Sequence, residues 1–189
     1  MMSRLALDWD QRKGWAVRWK MILYRNNLLE LPEKLAVLGQ RIDYRLLPDA
    51  TPEKVQVLVT NLQSLAYRIN ELMEARESPQ SESLVNQYHD DLRAWRMVIQ
   101  KHCRLWAQDP ATATARGIEL EKRLAAWLAR LEARIDETYR QVTEDELNER
   151  DYENFFRYLG SLRNLSEAAI DYAQLAEGVN WTQWQEARF

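Results

Sequence analysis

Two short stretches of this 189-residue chain contain residue types from which metal sites and nucleophilic sites are built: His89-Asp90-Asp91 and His102-Cys103. Both lie in sequence of helical character, where adjacent side chains diverge by about 100° and only residues three or four apart share a face. The first stretch therefore cannot converge on one metal ion, and Cys103 cannot face His102 as a nucleophile faces its base. We interpret His89 as part of a solvated surface, and His102 as a partly buried histidine with a hydrogen bond in the core.

Three carboxylates, Glu146, Glu149 and Glu153, share one helical face and are a further candidate for metal chemistry. A di-iron site in a helical bundle needs Glu-x-x-His pairs on two helices, and neither histidine of this chain follows a glutamate by three residues. The five glycines lie too far apart to form a phosphate-binding loop, and no nucleophile elbow is present. We therefore predict a protein that is not an enzyme and has no catalytic, cofactor-binding or metal-binding residues.

The N-terminal stretch contains the residues that best indicate contact with a surface. Residues 1–25 include six basic and two acidic residues, a local charge of +4 in a protein whose net charge is −3. Tryptophans and cations on one helix favour an anionic bilayer, where the tryptophans lie at headgroup depth. The alternative is that these tryptophans are ordinary core residues of a bundle. The candidates for facing a membrane are Arg12, Lys13, Trp15, Arg18, Trp19 and Lys20.

The elements that must carry these residues are predicted to be helices throughout. Hydrophobic residues make up 46% of the chain, enough for a core, while five glycines and five prolines are too few for a fold with many tight turns. Steps of three and four, the spacing of a bundle helix, separate the apolar residues Val55, Leu58, Leu62, Leu65, Ile69 and Leu72. The predicted fold class is all-α, an antiparallel bundle of about five to six helices, several of them long.

Capping residues and prolines divide the chain into these helices. The predicted starts are at about Asp8, Pro32, Thr51, Ser78, Thr114 and Thr143. Predicted ends lie before Pro48, at Asp109-Pro110 and at Gly178. We predict one domain overall, with residues 1–29 as a basic, tryptophan-rich N-terminal helix and residues 30–189 as the bundle. An aromatic tail after Gly178 is predicted to fold back onto the bundle.

Net charge and hydropathy exclude some classes of partner for this chain. No run of roughly 18 apolar residues is present, so the chain is not expected to span a bilayer, and no signal peptide is apparent. A net charge of −3 gives no basic field for nucleic acid, which we exclude as a partner.

The last third of the chain resembles the C-terminal soluble region of the fusaric-acid-resistance family, bacterial inner-membrane proteins regarded as aromatic-acid exporters. The resemblance lies in the pattern Leu-Gly-x-x-Arg-x-Leu-Ser-Glu-Ala at residues 159–168 and the pattern Trp-x-x-Trp-x-Glu-x-Arg-Phe at residues 181–189. A weaker similarity extends to residues 61–68. The chain departs from the family in that the transmembrane helices of the family are missing from it.

The resemblance implies a non-catalytic cytoplasmic domain of such an exporter, with an accessory, regulatory or oligomerising role at the cytoplasmic face of the bacterial inner membrane. Its partners would be the transmembrane portion of the same or an associated protein and an anionic membrane surface, with a homo-oligomer left open. The alternative is a stand-alone soluble helical adaptor that binds protein partners.

The core predicted from the apolar stripes is Leu58, Leu62, Leu65, Ile69, Leu92, Trp95, Ile99, Leu124, Trp127, Leu131, Leu159 and Leu162. Replacement of Leu62 with aspartate puts an unpaired charge into this core. We expect Leu62→Asp to lower the free energy of unfolding by several kcal/mol or to unfold the domain, as measured by denaturant titration. A cooperative transition with an unchanged midpoint would contradict the predicted core.

Overall fold

The computed structural model describes residues 15–46, 50–141 and 150–186 of the chain, and all regular structure in these ranges is helical. Eight α-helices follow one another there, with a short 3₁₀-helix at Tyr44–Leu46 between the first two. They are α1 Trp15–Arg41, α2 Pro52–Glu77, α3 Glu82–Gln87, α4 His89–Gln108, α5 Pro110–Ala115, α6 Gly117–Gln141, α7 Arg150–Glu177 and α8 Trp181–Glu186. The predicted all-α fold class is confirmed.

Neighbouring long helices run antiparallel, and α7 lies between α2 and α6. The end of α2 is beside the start of α7, where Asn154 Nδ2 donates to the backbone oxygen of Pro79 at 2.8 Å. The ring of Tyr139, near the end of α6, stacks on that of Phe156, near the start of α7, with centroids 4.9 Å apart. Because short links connect these helices, each can return beside the one before it.

Two tryptophans fill the centre of the bundle formed by α2, α4, α6 and α7. Trp95 of α4 and Trp127 of α6 are each 1% exposed, and their ring centroids are 6.1 Å apart. The indole N–H of Trp95 donates to Ser166 Oγ on α7 at 2.7 Å, and the hydroxyl of Ser166 donates to the backbone oxygen of Leu162 at 2.7 Å. The indole N–H of Trp127 donates to the backbone oxygen of Asp91 on α4 at 2.9 Å. Both buried donors therefore have acceptors, and the two bonds join three helices.

The predicted core is confirmed. Eight of its twelve residues are buried, and the other four, Leu62, Leu65, Ile69 and Leu92, are partly buried and packed against the core.

A second buried stripe on α2 was not predicted. Arg25 of α1 pairs with Glu74 and Glu77 near the end of α2, which shows that α1 covers the outer side of that helix. Beside the predicted seam, α2 has three further buried residues at steps of seven, Val59, Ala66 and Met73, of which Met73 packs into the main core. A helix that is buried on two sides has no single polar face, so its second stripe is not distinguishable from the first by periodicity alone.

Helix α1 continues through Pro32, where the sequence predicted the boundary between two helices. Proline removes one backbone hydrogen bond and is unfavourable in a helix interior. The packing of α1 along α2 opposes this cost, and Leu28, one turn earlier, is buried. The ion pair of Lys34 with Glu30 spans the proline but is exposed and contributes little. The helix consequently also crosses the division that we predicted between residues 29 and 30.

The predicted helix start at Ser78 is wrong, because residues 78–81 form a link and α3 begins only at Glu82. Helix α7 holds this link in place. Arg157 donates to the hydroxyl of Ser78 at 2.5 Å, the N–H of Ser81 donates to the backbone oxygen of Asp151 at 3.3 Å, and Asn154 bonds Pro79 as described. These partners lie at least 70 residues away in sequence, so a local capping pattern could not reveal them.

Asp109 ends α4 as predicted and also starts α5, a short helix that was not predicted. Its carboxylate accepts from the backbone N–H of Thr112 at 3.1 Å and from the hydroxyl of Thr112 at 2.6 Å. A turn at Arg116 then leads into α6, so two helices replace the single one predicted to begin near Thr114. The capping box predicted at Thr143 lies outside the described residues.

Removal of the acceptor for Trp95 gives a test of this core. We expect Ser166→Ala to lower the free energy of unfolding by about 1–3 kcal/mol, because the buried indole N–H then has no acceptor. Ser161→Ala is the matched control, since the hydroxyl of Ser161 bonds only the backbone oxygen of its own helix at Arg157. In a Trp95→Phe background, which has no donor, the Ser166→Ala effect should fall below that in the wild type. Equal effects in both backgrounds would contradict the role given to this bond.

Candidate functional site

An opening among the described residues forms a groove at one end of the bundle, between the start of α2 and the end of α7. Its volume is about 450 Å³, within the range of roughly 300–1,000 Å³ that is usual for ligand sites. We call it the end groove. It is lined by Ala50, Glu53, Lys54, Val55, Val57, Leu58, Gln174, Leu175, Gly178, Val179 and Asn180.

Local capping fixes the α2 wall of the end groove. The backbone of Thr51 is extended, and its hydroxyl accepts from the N–H of Lys54 at 3.3 Å, as the sequence predicted for an N-cap. Hydrogen bonds to its own backbone N–H and to Thr51 hold the pKa of Glu53 below its ordinary value. The carboxylate of Glu53 is therefore ionised at neutral pH and stabilises the helix start, where the peptide dipoles favour a negative charge.

The residues that follow α7, from Gly178 onward, form the opposite wall of the end groove. Gly178 follows the end of α7, as predicted, although no residue in the described ranges has a positive φ, so this terminator is not left-handed. The indole N–H of Trp181 donates to the backbone oxygen of Ala176 at 3.0 Å, and Trp181 and Val179 pack against the buried residues Leu58, Tyr172 and Ala176. The predicted return of the tail onto the bundle is confirmed for Trp181. Phe189 and the side chain of Trp184 lie outside the part of the chain that the structure describes.

An arrangement of this kind can bind apolar groups. Its floor is aliphatic, from Val55, Leu58, Leu175 and Val179, and its polar atoms lie on side chains of Glu53, Lys54, Gln174 and Asn180. The lining contains no histidine, cysteine, serine or threonine. Burial of apolar side chains from a partner is the interaction that such a surface favours.

The residues predicted to face a membrane are not part of the end groove. Arg12 and Lys13 lie outside the described residues, and Trp15, Arg18, Trp19 and Lys20 belong to the first turns of α1, where only the backbone is described. These turns precede Arg25, which pairs with the end of α2. The groove lies at the start of α2, so the two features are at opposite ends of the bundle.

The structure does not bring the candidate metal ligands together. Asp91 pairs with Arg134 of α6, while His89 and Asp90 are exposed. Glu146 and Glu149 lie outside the described residues, and Glu153 is exposed on the first turn of α7. Across residues 15–46, 50–141 and 150–186, no group of three or more His, Cys, Asp or Glu side chains could hold a metal ion.

His102 is buried more deeply than predicted. It is 1% exposed, and its Nδ1 atom has no hydrogen-bond partner among the described residues. Its ring lies 6.5 Å from that of Trp106, on the same face of α4. Burial raises the pKa of the neighbouring Cys103 thiol to about 11, so this thiol is protonated at neutral pH and is a poor nucleophile.

Among the described helices, none is both long enough and apolar enough to cross a bilayer. Comparison of the chain with family models, with curated proteins and with solved structures gave no match.

The buried His102 predicts a loss of stability in acid. Burial is the largest cause and lowers the pKa of His102. The charges of Lys101, Arg123 and Arg116 lower it further, whereas the charge of Glu119 raises it. Because the folded-state pKa is below the unfolded value of about 6.5, protonation favours the unfolded chain. The contribution of His102 to stability is thus complete above about pH 6.5 and is lost as the pH falls below it.

We expect the free energy of unfolding of the wild type to fall between about pH 8 and about pH 5. Chemical denaturation of His102→Leu should give a shallower dependence on pH. His89→Gln is the control, because His89 is the other histidine and is exposed, and it should retain the wild-type dependence. If stability depends on pH in the same way in His102→Leu and in the wild type, another group causes the acid sensitivity.

Proposed function

We propose that this protein is a non-catalytic helical domain whose function is to bind another protein through the end groove. The observation that carries this proposal is the groove itself, an opening of about 450 Å³ with an aliphatic floor. Val57, one of its lining residues, is 49% exposed, so an apolar side chain is presented to solvent at its edge. An exposed apolar surface with a polar rim is typical of a site that a partner covers.

The setting that we propose is the cytoplasmic face of the bacterial inner membrane, as an accessory, regulatory or oligomerising domain of an exporter of the fusaric-acid-resistance type. The support for it is the resemblance of residues 159–168 and 181–189, together with the +4 charge of residues 1–25. If the N-terminal end faces the bilayer, the end groove at the opposite end of the bundle points away from it. Such a groove is accessible to a cytoplasmic segment of the exporter or to a separate protein.

A photo-crosslinking probe at position 57 tests the groove. A benzophenone amino acid placed there, in the native-length product in bacterial cells, should form one discrete adduct, and mass spectrometry should locate it on an apolar segment of a defined partner. The matched control is the same probe at Met97, which is exposed on α4 away from the groove. Adducts identical to those of the Met97 probe, or no adduct at all, would count against the proposal.

Co-sedimentation with lipid vesicles tests the membrane-facing N-terminus. Each basic residue near an anionic surface contributes about 1 kcal/mol, so a segment of charge +4 should bind weakly and release in salt. We expect the full chain to sediment with anionic vesicles at low salt but not with neutral ones, and a chain without residues 1–25 to stay in solution. If neither chain sediments, the stand-alone adaptor becomes the better description of the protein.

A further inference from the structure

A buried histidine is connected to the end groove by a series of aromatic contacts. The ring centroids of His102 and Trp106, one turn later on α4, are 6.5 Å apart, and Trp106 meets Tyr172 of α7 edge to face at 4.9 Å. Tyr172 forms a buried cluster with Leu58 and Ala176, and Trp106 packs against that cluster. Trp106 therefore lies between the histidine and the buried residues behind the groove.

The cluster against which Trp106 packs supports both walls of the end groove. Leu58 belongs to the cluster and lines the groove, and Val179, from the opposite wall, packs against the same cluster. Trp181 packs there as well, and its indole N–H donates to the backbone oxygen of Ala176. A displacement of Trp106 consequently removes support from both walls.

His102 fits its surroundings only as a neutral ring. A neutral imidazole has one N–H group, whereas the protonated ring has two. The residue is 1% exposed, and its Nδ1 atom has no hydrogen-bond partner among the described residues. Protonation therefore places a charge and an N–H group without an acceptor in the interior, and both cost free energy there.

The charges around His102 add to this cost. Four charged side chains act on the ring from α4, from the turn before α6 and from α6 itself, namely Lys101, Arg116, Glu119 and Arg123. The single carboxylate among them, that of Glu119, already pairs with Arg123 at 2.5 Å. Helix α5, which also packs against α4, has no ionisable side chain, and on α7 burial raises the pKa of the Tyr172 phenol, which stays neutral. Three cations and one paired anion disfavour an imidazolium.

We propose that His102 makes the end groove sensitive to acid, so that protonation of its ring releases the partner of the groove. The charged ring gains hydration only if the end of α4 moves away from its neighbours, and Trp106, on the same face of that helix, moves with it. Tyr172 then loses its edge contact, and the cluster behind the groove loosens. This regulation rests on the proposed function of the groove. Because linkage is reciprocal, the bound partner in turn opposes protonation.

The pH range of the release follows from the direction of the pKa shift. Burial, the largest cause, holds the pKa of His102 below its ordinary value. The ring is therefore neutral at neutral pH, where the groove has its full support. The loosened form gains population only as the pH falls below about 6.5, the ordinary value for histidine.

Nuclear magnetic resonance of the full chain tests the coupling without a partner. Between about pH 8 and about pH 5, the methyl resonances of Val57 and Val179 should shift with the same midpoint as the His102 ring. Those of Leu84, on α3 beside the start of α7, should not follow it. His89→Gln assigns the ring signals, because the chain has two histidines.

Two variants of Trp106 form a matched pair. In Trp106→Leu the ring between His102 and Tyr172 is lost, so His102 should still titrate while the groove methyls no longer follow it. Trp106→Phe retains a ring and should retain the coupling. His102→Gln, which has no imidazole, should keep the groove methyls at their neutral-pH positions throughout, and it provides the same test if Trp106→Leu does not fold. Circular dichroism at each pH establishes which variants are folded.

The crosslinking probe at position 57 tests the release of the partner. In permeabilised cells, the yield of the adduct formed at about pH 7.5 should fall about fivefold or more at about pH 5.5, the range of a typical allosteric coupling, and should recover when the first buffer is restored. A chain with the probe and His102→Gln should give the same yield at both pH values.

The two proposals fail in different ways. Absence of the adduct at about pH 7.5 contradicts partner binding by the end groove and, with it, the regulation. An adduct whose yield is equal at both pH values overturns the regulation alone. The same holds if the groove methyls do not follow the His102 ring, or follow it equally in folded Trp106→Leu.

Discussion

Burial of two indole rings at the centre of a four-helix bundle is the constraint on which the rest of this structure depends. An indole supplies a large apolar surface but also an N–H group that costs free energy when it is buried without an acceptor. Trp95 and Trp127 lie side by side, so the two donors must find partners within the core. Ser166 and the backbone of Asp91 supply them, from two different helices. These bonds fix how far α4 and α6 can slide along each other and along α7.

Helix α7 connects the parts of the molecule that are of functional interest. Near its start, Asn154 and Arg157 hold the link after α2. Near its end, Leu175 forms one wall of the end groove. Between these regions the helix is buried against α2 and α6, and close-packed interiors deform little. The link after α2 and the end groove are therefore held at a fixed separation on one rigid element.

The resemblance to the exporter family on which the proposed setting depends involves residues whose structural roles differ. Leu159, Leu165 and Ser166 are buried core positions of α7, and Ser166 accepts the hydrogen bond from Trp95. Arg163 is exposed and forms ion pairs with Glu132 of α6 and Glu167 of its own helix. A pattern dominated by core positions reports mainly on how a helix packs, so its functional meaning depends on the surfaces that the packed helix leaves open.

The helical class, the seam of α2, the cap at Thr51 and most of the core were determined by the sequence alone, because periodicity and capping are local properties of a chain. Three features were decided only by the tertiary structure: the passage of α1 through Pro32, the link at residues 78–81 and the deep burial of His102. In each, the deciding contacts are with neighbours that a local pattern does not specify. The end groove belongs to the same category. It joins residues 50–58 to residues 174–180, a distance in sequence that no spacing rule connects. Its shape arises because long helices that pack along their length leave an opening where side chains of different helices fail to fill the space between them.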